Sequence, residues 1–270
     1  MPSRSFTETL AAALAAGTVE HYRDAALYDH DYGRRREDVR YYRALARQVG
    51  GPILELGCGT GRLLVPLLRD GHKVFGVDLA EPMLARLRER IARLSPEARG
   101  RATIKRADFR ALRLGRRFPL VVCPFNAFMH LYTRSDVERC LASVRAHLAP
   151  GGRFVFDVMN PDLRWLSRDP RRYWDRTRYR DPTTGRKMIG STRIAYDAAL
   201  QICFLHNRIE AEDGRGRAKV VRLTQRCFFP LELEALLHYN GFAVEKKYGD
   251  FGGGAFEPDS EEQLLVCRSR

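Results

Sequence analysis

Lysine is scarce in this chain. Only Lys73, Lys105, Lys187, Lys219, Lys246 and Lys247 occur among 47 basic residues, so nearly all of the positive charge is arginine. Against 33 acidic residues the balance is +14, which invites nucleic acid or an acidic substrate as partner. A coding bias toward arginine gives the same balance with no functional demand. The six cysteines (Cys58, Cys123, Cys140, Cys203, Cys227, Cys267) form no C-x-x-C pair and no regular spacing. That pattern supports neither a disulfide framework nor a metal site, and cysteines inside apolar runs behave as small hydrophobes. Long apolar runs are missing too. Leu10 to Ala16 is too short to span a bilayer and follows Glu8. No basic segment leads to an A-x-A cleavage site, so the expected location is cytoplasmic. There is no internal repeat and no low-complexity linker. What is present suffices for a sizeable core: 270 residues, 44% hydrophobic and 10% aromatic, room for one large domain carrying an insertion.

Helical spacing with polar turns runs from about residue 5 to 49 and ends at Gly50-Gly51. Pro52-Ile53-Leu54-Glu55-Leu56 is then a short apolar run of the kind buried in a parallel sheet. The spacing predicts a helix over Thr60 to Arg69, a strand over Lys73 to Val77 and a helix from Glu81 to Leu94. Strands near Ala102 to Arg106 and Leu120 to Cys123, a helix at Ser135 to Leu148 and a strand at Arg153 to Val158 continue the alternation. Such βαβ units imply a mostly parallel, helix-covered, doubly wound sheet. From about Pro161 to Phe229 the period becomes two, with Val221, Leu223 and Cys227 alternating with Arg222, Thr224 and Arg226. An antiparallel insertion of three or four strands is expected there. Pro230 and Gly241 bracket another helix. Phe242 to Tyr248 and Gln263 to Cys267 are placed to close the sheet.

The most informative stretch is Glu55-Leu56-Gly57-Cys58-Gly59-Thr60-Gly61. A strand runs into three alternating glycines, which let the chain turn tightly and let a ligand approach the main chain. A dinucleotide fingerprint reads G-x-G-x-x-G; here the third glycine comes one residue early. Glu55 would repel a pyrophosphate and attract an ammonium or sulfonium cation. Asp78 ends the second strand, where a carboxylate can accept both hydroxyls of a ribose. It equally suits the N-cap of the helix opening at Glu81-Pro82. Asp108 follows the third strand, within reach of an adenine amino group.

Together these residues resemble class I S-adenosylmethionine-dependent methyltransferases over nearly the whole chain. The resemblance implies a seven-stranded Rossmann-like sheet whose last strand is antiparallel, with the insertion between the fifth and sixth strands. It implies S-adenosyl-L-methionine as cofactor, held by the loop through Glu55, Gly57, Cys58, Gly59 and Gly61, by Asp78, and by Asp108 with Phe109. Leu79 and Met83 match positions that pack on the adenine. A narrower likeness is to small-molecule N-methyltransferases acting on amino sugars and on glycine or sarcosine. Tyr28-Asp29-His30-Asp31-Tyr32 before an arginine cluster is similar to their N-terminal lid, in which Tyr32 faces the methyl donor and an arginine, here Arg35 or Arg36, pairs with the cofactor carboxylate. Cys123-Pro124-Phe125-Asn126, running on to His130, is similar to the segment that carries their active-site histidine.

Four segments are therefore expected: a helical lid (1–50), a cofactor-binding α/β core (51–160), an antiparallel cap (161–229) and the C-terminal part of the core (230–270). His130 is the candidate for the acceptor's proton, since an unperturbed imidazole titrates at about 6.5, with capping or packing of the loop after the fourth strand as its alternative. Tyr32 is the candidate for orienting the acceptor or shielding the sulfonium, with core packing as its alternative. Asn126, Trp174 and Tyr179 are candidate substrate contacts; a turn role for Asn126 and core packing for the aromatics fit equally well. The leading expectation is methyl transfer to a nitrogen, less readily an oxygen, of a small molecule. The alternatives are an RNA methyltransferase using the basic surface and a non-catalytic cofactor-binding partner protein. Against nucleic acid, Val122-Cys123-Pro124-Phe125 lacks the leading polar acceptor and second proline of base-amine methylating loops. The oligomeric state stays open.

Overall fold

A computed structural model describes residues 4–270, with side chains from Leu10 onward; Met1–Ser3, within the expected 1–50 segment, lie outside the described residues. The elements in chain order begin with helices α1 (Arg4–Val19), α2 (Ala25–Tyr32) and α3 (Glu37–Val49). Then come β1 (Ile53–Leu56), α4 (Leu64–Arg69), β2 (Val74–Asp78), α5 (Glu81–Ala92), α6 (Pro96–Arg99), β3 (Ala102–Arg106), β4 (Phe118–Cys123), α7 (Arg134–His147) and β5 (Leu148–Met159). Next follow α8 (Leu163–Leu166) and strands β6 (Trp174–Arg180), β7 (Lys187–Asp197), β8 (Ile202–Ala211) and β9 (Lys219–Arg226). The last elements are α9 (Pro230–Tyr239), β10 (Phe242–Tyr248) and β11 (Glu262–Ser269). By their contacts they form two compact units. One joins the chain up to Tyr32 with Asp162–Cys227; the other joins Gly33–Pro161 with Phe228–Arg270.

The second unit holds a seven-stranded sheet in the order β10-β11-β5-β4-β1-β2-β3. Six strands run in one direction, and β11 alone lies antiparallel, between β5 and β10. All of β1 is buried, and its successive residues serve opposite faces. Leu54 and Leu56 join Val121, Cys123, Phe154 and Phe156 on one side, while Ile53 joins Val74, Leu120, Val122 and Val155 on the other. Burial on both faces explains why these strands read as continuous apolar runs. Each fully buried aliphatic or aromatic side chain contributes ~1.5–3 kcal/mol. The strand order reverses at β1, which has β2 on one side and β4 on the other. In open α/β sheets the crevice at the carboxyl ends of such strands is where ligands bind.

Two local outcomes differ from the sequence expectation. The helix expected from Thr60 begins at Leu64, because the glycine turn continues to Leu63. Pro66 consequently sits in the first turn, where its missing N–H costs no intrahelical bond. The strand expected from Arg153 begins at Leu148, and the Pro150-Gly151-Gly152 turn is absorbed as a shift in the β4–β5 register.

In the first unit the order β6-β7-β8-β9 is antiparallel throughout. Ile194, Cys203, Leu205, Leu223, Cys227 and Leu166 form its small core. Helix α1 packs on β9 so closely that a Cβ on Gly17 would lie 1.8 Å from Thr224 Oγ1. Only a glycine permits that approach.

Candidate cofactor site and active site

The turn after β1 is held by hydrogen bonds from the N–H groups of Gly57 and Cys58 to Val77 O, at 2.8 and 3.0 Å. Gly57, Gly59 and Gly61 all have positive φ (71°, 52° and 81°), a region that costs other residues strain. Their surroundings differ. A Cβ on Gly57 would meet Ala127 Cβ at 2.7 Å and one on Gly61 would meet Leu87 Cδ1 at 2.3 Å, whereas one on Gly59 would find only Met83 Cε, at 3.5 Å. Two of the glycines thus allow close packing, and the third faces space. Cys58 turns its thiol inward against Gly76, so its contribution to the loop is backbone.

Two carboxylates define the loop's electrostatics. Asp78 accepts from the N–H of Gly59 through Oδ2 and from that of Ala80 through Oδ1, both at 2.8 Å. It ties the glycine turn to Ala80, the N-cap of α5; α5 has no side-chain cap, so the N-cap role considered for Asp78 does not hold. Burial raises its pKa, opposed by these backbone N–H groups. Glu55 is 2% exposed, and its Oε2 is buried with no hydrogen-bond partner. Burial pushes its carboxyl well above the ordinary range; Arg62 opposes this, and Asp78 and Asp38 reinforce it. An orphaned buried acceptor costs ~1–3 kcal/mol or more unless a donor reaches it. The adenosine and sulfonium chemistry of S-adenosylmethionine fits this donor-hungry loop. Beside it, Leu79 is 46% exposed and Met83 is buried.

Asp108 is placed differently from its expected reach toward a ligand. It caps the 3-10 turn Phe109–Ala111 and grips Arg110, accepting from Nε at 3.0 Å and from Nη2 at 2.7 Å. Arg110 also reaches Asp136, at 2.7 Å. Burial raises the Asp108 pKa, and Arg110 outweighs it to leave a net lowering. Phe109 packs on the core beneath.

The segment after β4 is a built loop. Phe125 and Asn126 both have positive φ (56° and 62°), and their N–H groups donate to Asp157 Oδ1 and Oδ2 at 3.0 and 3.2 Å. Tyr42 donates its hydroxyl to the same Asp157 Oδ1 at 2.6 Å. Asn126 Oδ1 accepts from Met159 N–H at 2.7 Å, so this side chain performs the turn role. His130 ends the following 3-10 turn, half-buried, with Nδ1 3.2 Å from the Tyr132 hydroxyl. The sequence reading passed over Asp157, although a lone carboxylate within Phe154-Val155-Phe156-Asp157-Val158 was a signal: an acid in a fully buried strand needs partners.

Of the two arginines considered, Arg36 stands at the N-cap of α3 with an exposed side chain. Arg35 forms an ion pair with the buried Glu262, and the guanidinium groups of Arg35 and Arg62 both lie over the Phe125 ring, 5.5 and 4.1 Å from its centroid. Arg62 is further tied to buried Asp38. Tyr32, Trp174 and Tyr179 belong to the other unit. There Tyr32 lies 3.2 Å from His21 Nε2 through its hydroxyl, Tyr179 is tilted against His30, and Trp174 sits under Arg168 and Arg172.

A sheet of this order, with a glycine turn between two carboxylates at its switch point, is Rossmann-like. Residues 53–152 match the methyltransferase-domain family. The chain is 31% identical over 127 residues to a dTDP-3-amino-3,4,6-trideoxy-alpha-D-glucopyranose N,N-dimethyltransferase of Streptomyces venezuelae, covering 47% of this chain and 50% of that one. The chain spans about half the length of the curated relatives it first matches. Among solved structures, the CcbJ methyltransferase of Streptomyces caelestis is similar, with 25% identity, a TM-score of 0.76 and coverage of 93% of this chain and 98% of that one. The glycopeptide N-methyltransferase MtfA, complexed with S-adenosyl-L-methionine, has 25% identity and a TM-score of 0.59, with coverage of 87% and 93%. No helix among the described residues is long and apolar enough to cross a membrane.

Proposed function

We propose that this protein is an enzyme that transfers a methyl group from S-adenosyl-L-methionine to a nitrogen of a small-molecule acceptor. The observation that carries the reading is the loop of Glu55, Gly59 and Asp78, with its orphaned Glu55 oxygen. When bound, the cofactor supplies a methyl carbon already activated by a sulfonium. Asp78 would hold the ribose, with its carboxylate fixed in place by the N–H groups of Gly59 and Ala80. Glu55 would attract the positive end of the cofactor, Leu79 and Met83 would sandwich the base, and the main chain of Gly57 to Gly61 would lie against the ligand. Asp108, occupied by Arg110, would contribute through the loop it shapes rather than through an open carboxylate.

The remaining work is alignment, which can supply ~7–11 kcal/mol, and removal of a proton from the acceptor. His130 is the proposed group. The tautomer in which Nδ1–H donates to the Tyr132 oxygen makes Nε2 the basic nitrogen. Tyr32, Trp174, Tyr179 and Arg36 remain proposed contacts for acceptor or cofactor. A nitrogen acceptor is supported by the names of the similar proteins, an amino-sugar N,N-dimethyltransferase and a glycopeptide N-methyltransferase. A cytoplasmic setting fits six cysteines that are all unpaired and buried.

Isotopically labelled S-adenosyl-L-methionine offered in parallel with fractionated small metabolites and with RNA tests the reading. Label is expected in an amine of the metabolite fraction. Label in RNA alone, or in neither fraction despite tight cofactor binding, overturns it.

A further inference from the structure

Strands β7, β8 and β9 carry a row of basic side chains in direct register, Arg193 opposite His206 and His206 opposite Arg222. Arg208, two residues along β8, shares that face and stands opposite Ser191. The guanidinium groups of Arg193, Arg208 and Arg222 share this face with the imidazole of His206, and that excess of positive charge calls for a compensating group. The protein supplies only part of one. Glu20 takes Arg222, accepting from its Nε at 2.9 Å, and Glu210 takes Nη2 of Arg208 at 2.7 Å. Both carboxylates engage the margins of the patch. Arg193 has no ion-pair partner among the described residues.

The central groups are also held in place rather than splayed into solvent. The guanidinium groups of Arg193 and Arg208 each lie 5.6 Å from the centroid of the Tyr173 ring. Two nitrogens of the cluster, His206 Nδ1 and Arg208 Nε, are buried with no hydrogen-bond partner. Buried polar atoms left in this state need an explanation.

We propose that this face of the insertion sheet is a binding site for a compact, multiply charged anion of the phosphate or diphosphate class. It goes beyond the methyl-transfer reading and stands independently of it. Arginine forks match phosphate oxygens bidentately, and Ser191 adds a hydroxyl donor on the same face. The size matches as well. Three adjacent strands span about 10 Å, and two residues along a strand about 7 Å. That area accommodates one or two phosphate groups and is too short for the backbone track of a polymer. Burial, with Arg193 and Arg222 beside it and Glu20 opposing them, lowers the His206 pKa; a bound anion reverses that bias.

The test is calorimetric titration of the full chain with pyrophosphate, inorganic phosphate and uridine diphosphate in turn. Pyrophosphate is expected to bind once per chain, and Arg193→Gln and Arg208→Gln are each expected to weaken it at least tenfold. Both variants should keep their thermal midpoint and their affinity for S-adenosylhomocysteine, which separates this site from the cofactor loop. Tighter binding of uridine diphosphate than of pyrophosphate assigns the phosphates to a nucleotide-bearing metabolite, and equal binding assigns a free anion. No binding of any of the three, or binding indifferent to both substitutions, overturns the proposal. So does tighter binding of an RNA oligomer with a salt dependence of many phosphates.

Discussion

Tyr42, fully buried on α3, donates its hydroxyl to Asp157 in the middle of the sheet, across 115 residues of sequence. Through Asp157 it also fixes the two left-handed residues Phe125 and Asn126, and so the path of the chain toward His130. Burial raises the Asp157 pKa to about 6 despite these three donors. Tyr42→Phe removes one donor from a buried carboxylate, a loss of ~1–3 kcal/mol. A lowered denaturant midpoint and slower turnover are expected, checked by urea unfolding and steady-state kinetics.

The glycines of the loop should separate into two kinds. Gly57→Ala forces a Cβ to 2.7 Å from Ala127 at φ +71°, and should destabilise by more than ~1 kcal/mol. Gly59→Ala meets no such neighbour, and its main effect should be lost affinity for S-adenosylhomocysteine. Thermal melts beside binding isotherms distinguish them.

Asp78→Ala should weaken cofactor binding at least tenfold in calorimetry. An unchanged affinity removes Asp78 from the site.

His130→Ala should slow turnover by ~10²–10⁴-fold, the usual size of a proton-transfer contribution, while cofactor affinity stays intact. Equal turnover in the variant returns His130 to a packing role.

Glu262 offers a pH test. Burial, with Asp157 nearby, raises its pKa to about 7, opposed by Arg35. A carboxyl whose folded value lies above its unfolded value of about 4.5 favours folding when protonated. Its contribution is complete below pH ~4.5 and is lost as the pH rises through ~7. The neutral variant Glu262→Gln lacks this loss. The stability difference between wild type and variant, followed by denaturant unfolding from pH 5 to 8, should shift steadily against the wild type.

The βαβ alternation was legible because strands buried on both faces read as apolar runs and their helices carry a 3.6 period. The glycine loop and Asp78 were legible because their spacing is local. Strand β6 was harder to read: Trp174-Asp175-Arg176-Thr177-Arg178-Tyr179-Arg180 lies at a sheet edge and is mostly exposed, so no alternation marks it. Asp108 shows a different kind of gap: its pairing with Arg110, two residues on, was not legible in the sequence.

By itself, then, the sequence determined the order of elements and the acidic, glycine-rich turn, since both follow from backbone sterics and short-range periodicity. Only the tertiary structure decided which polar groups meet: Asp157 with Tyr42, Arg35 with Glu262, Arg222 with Glu20. Pairing energies in a folded chain depend on burial and on distances that close over a hundred residues or a strand register, and neither is encoded in any local pattern.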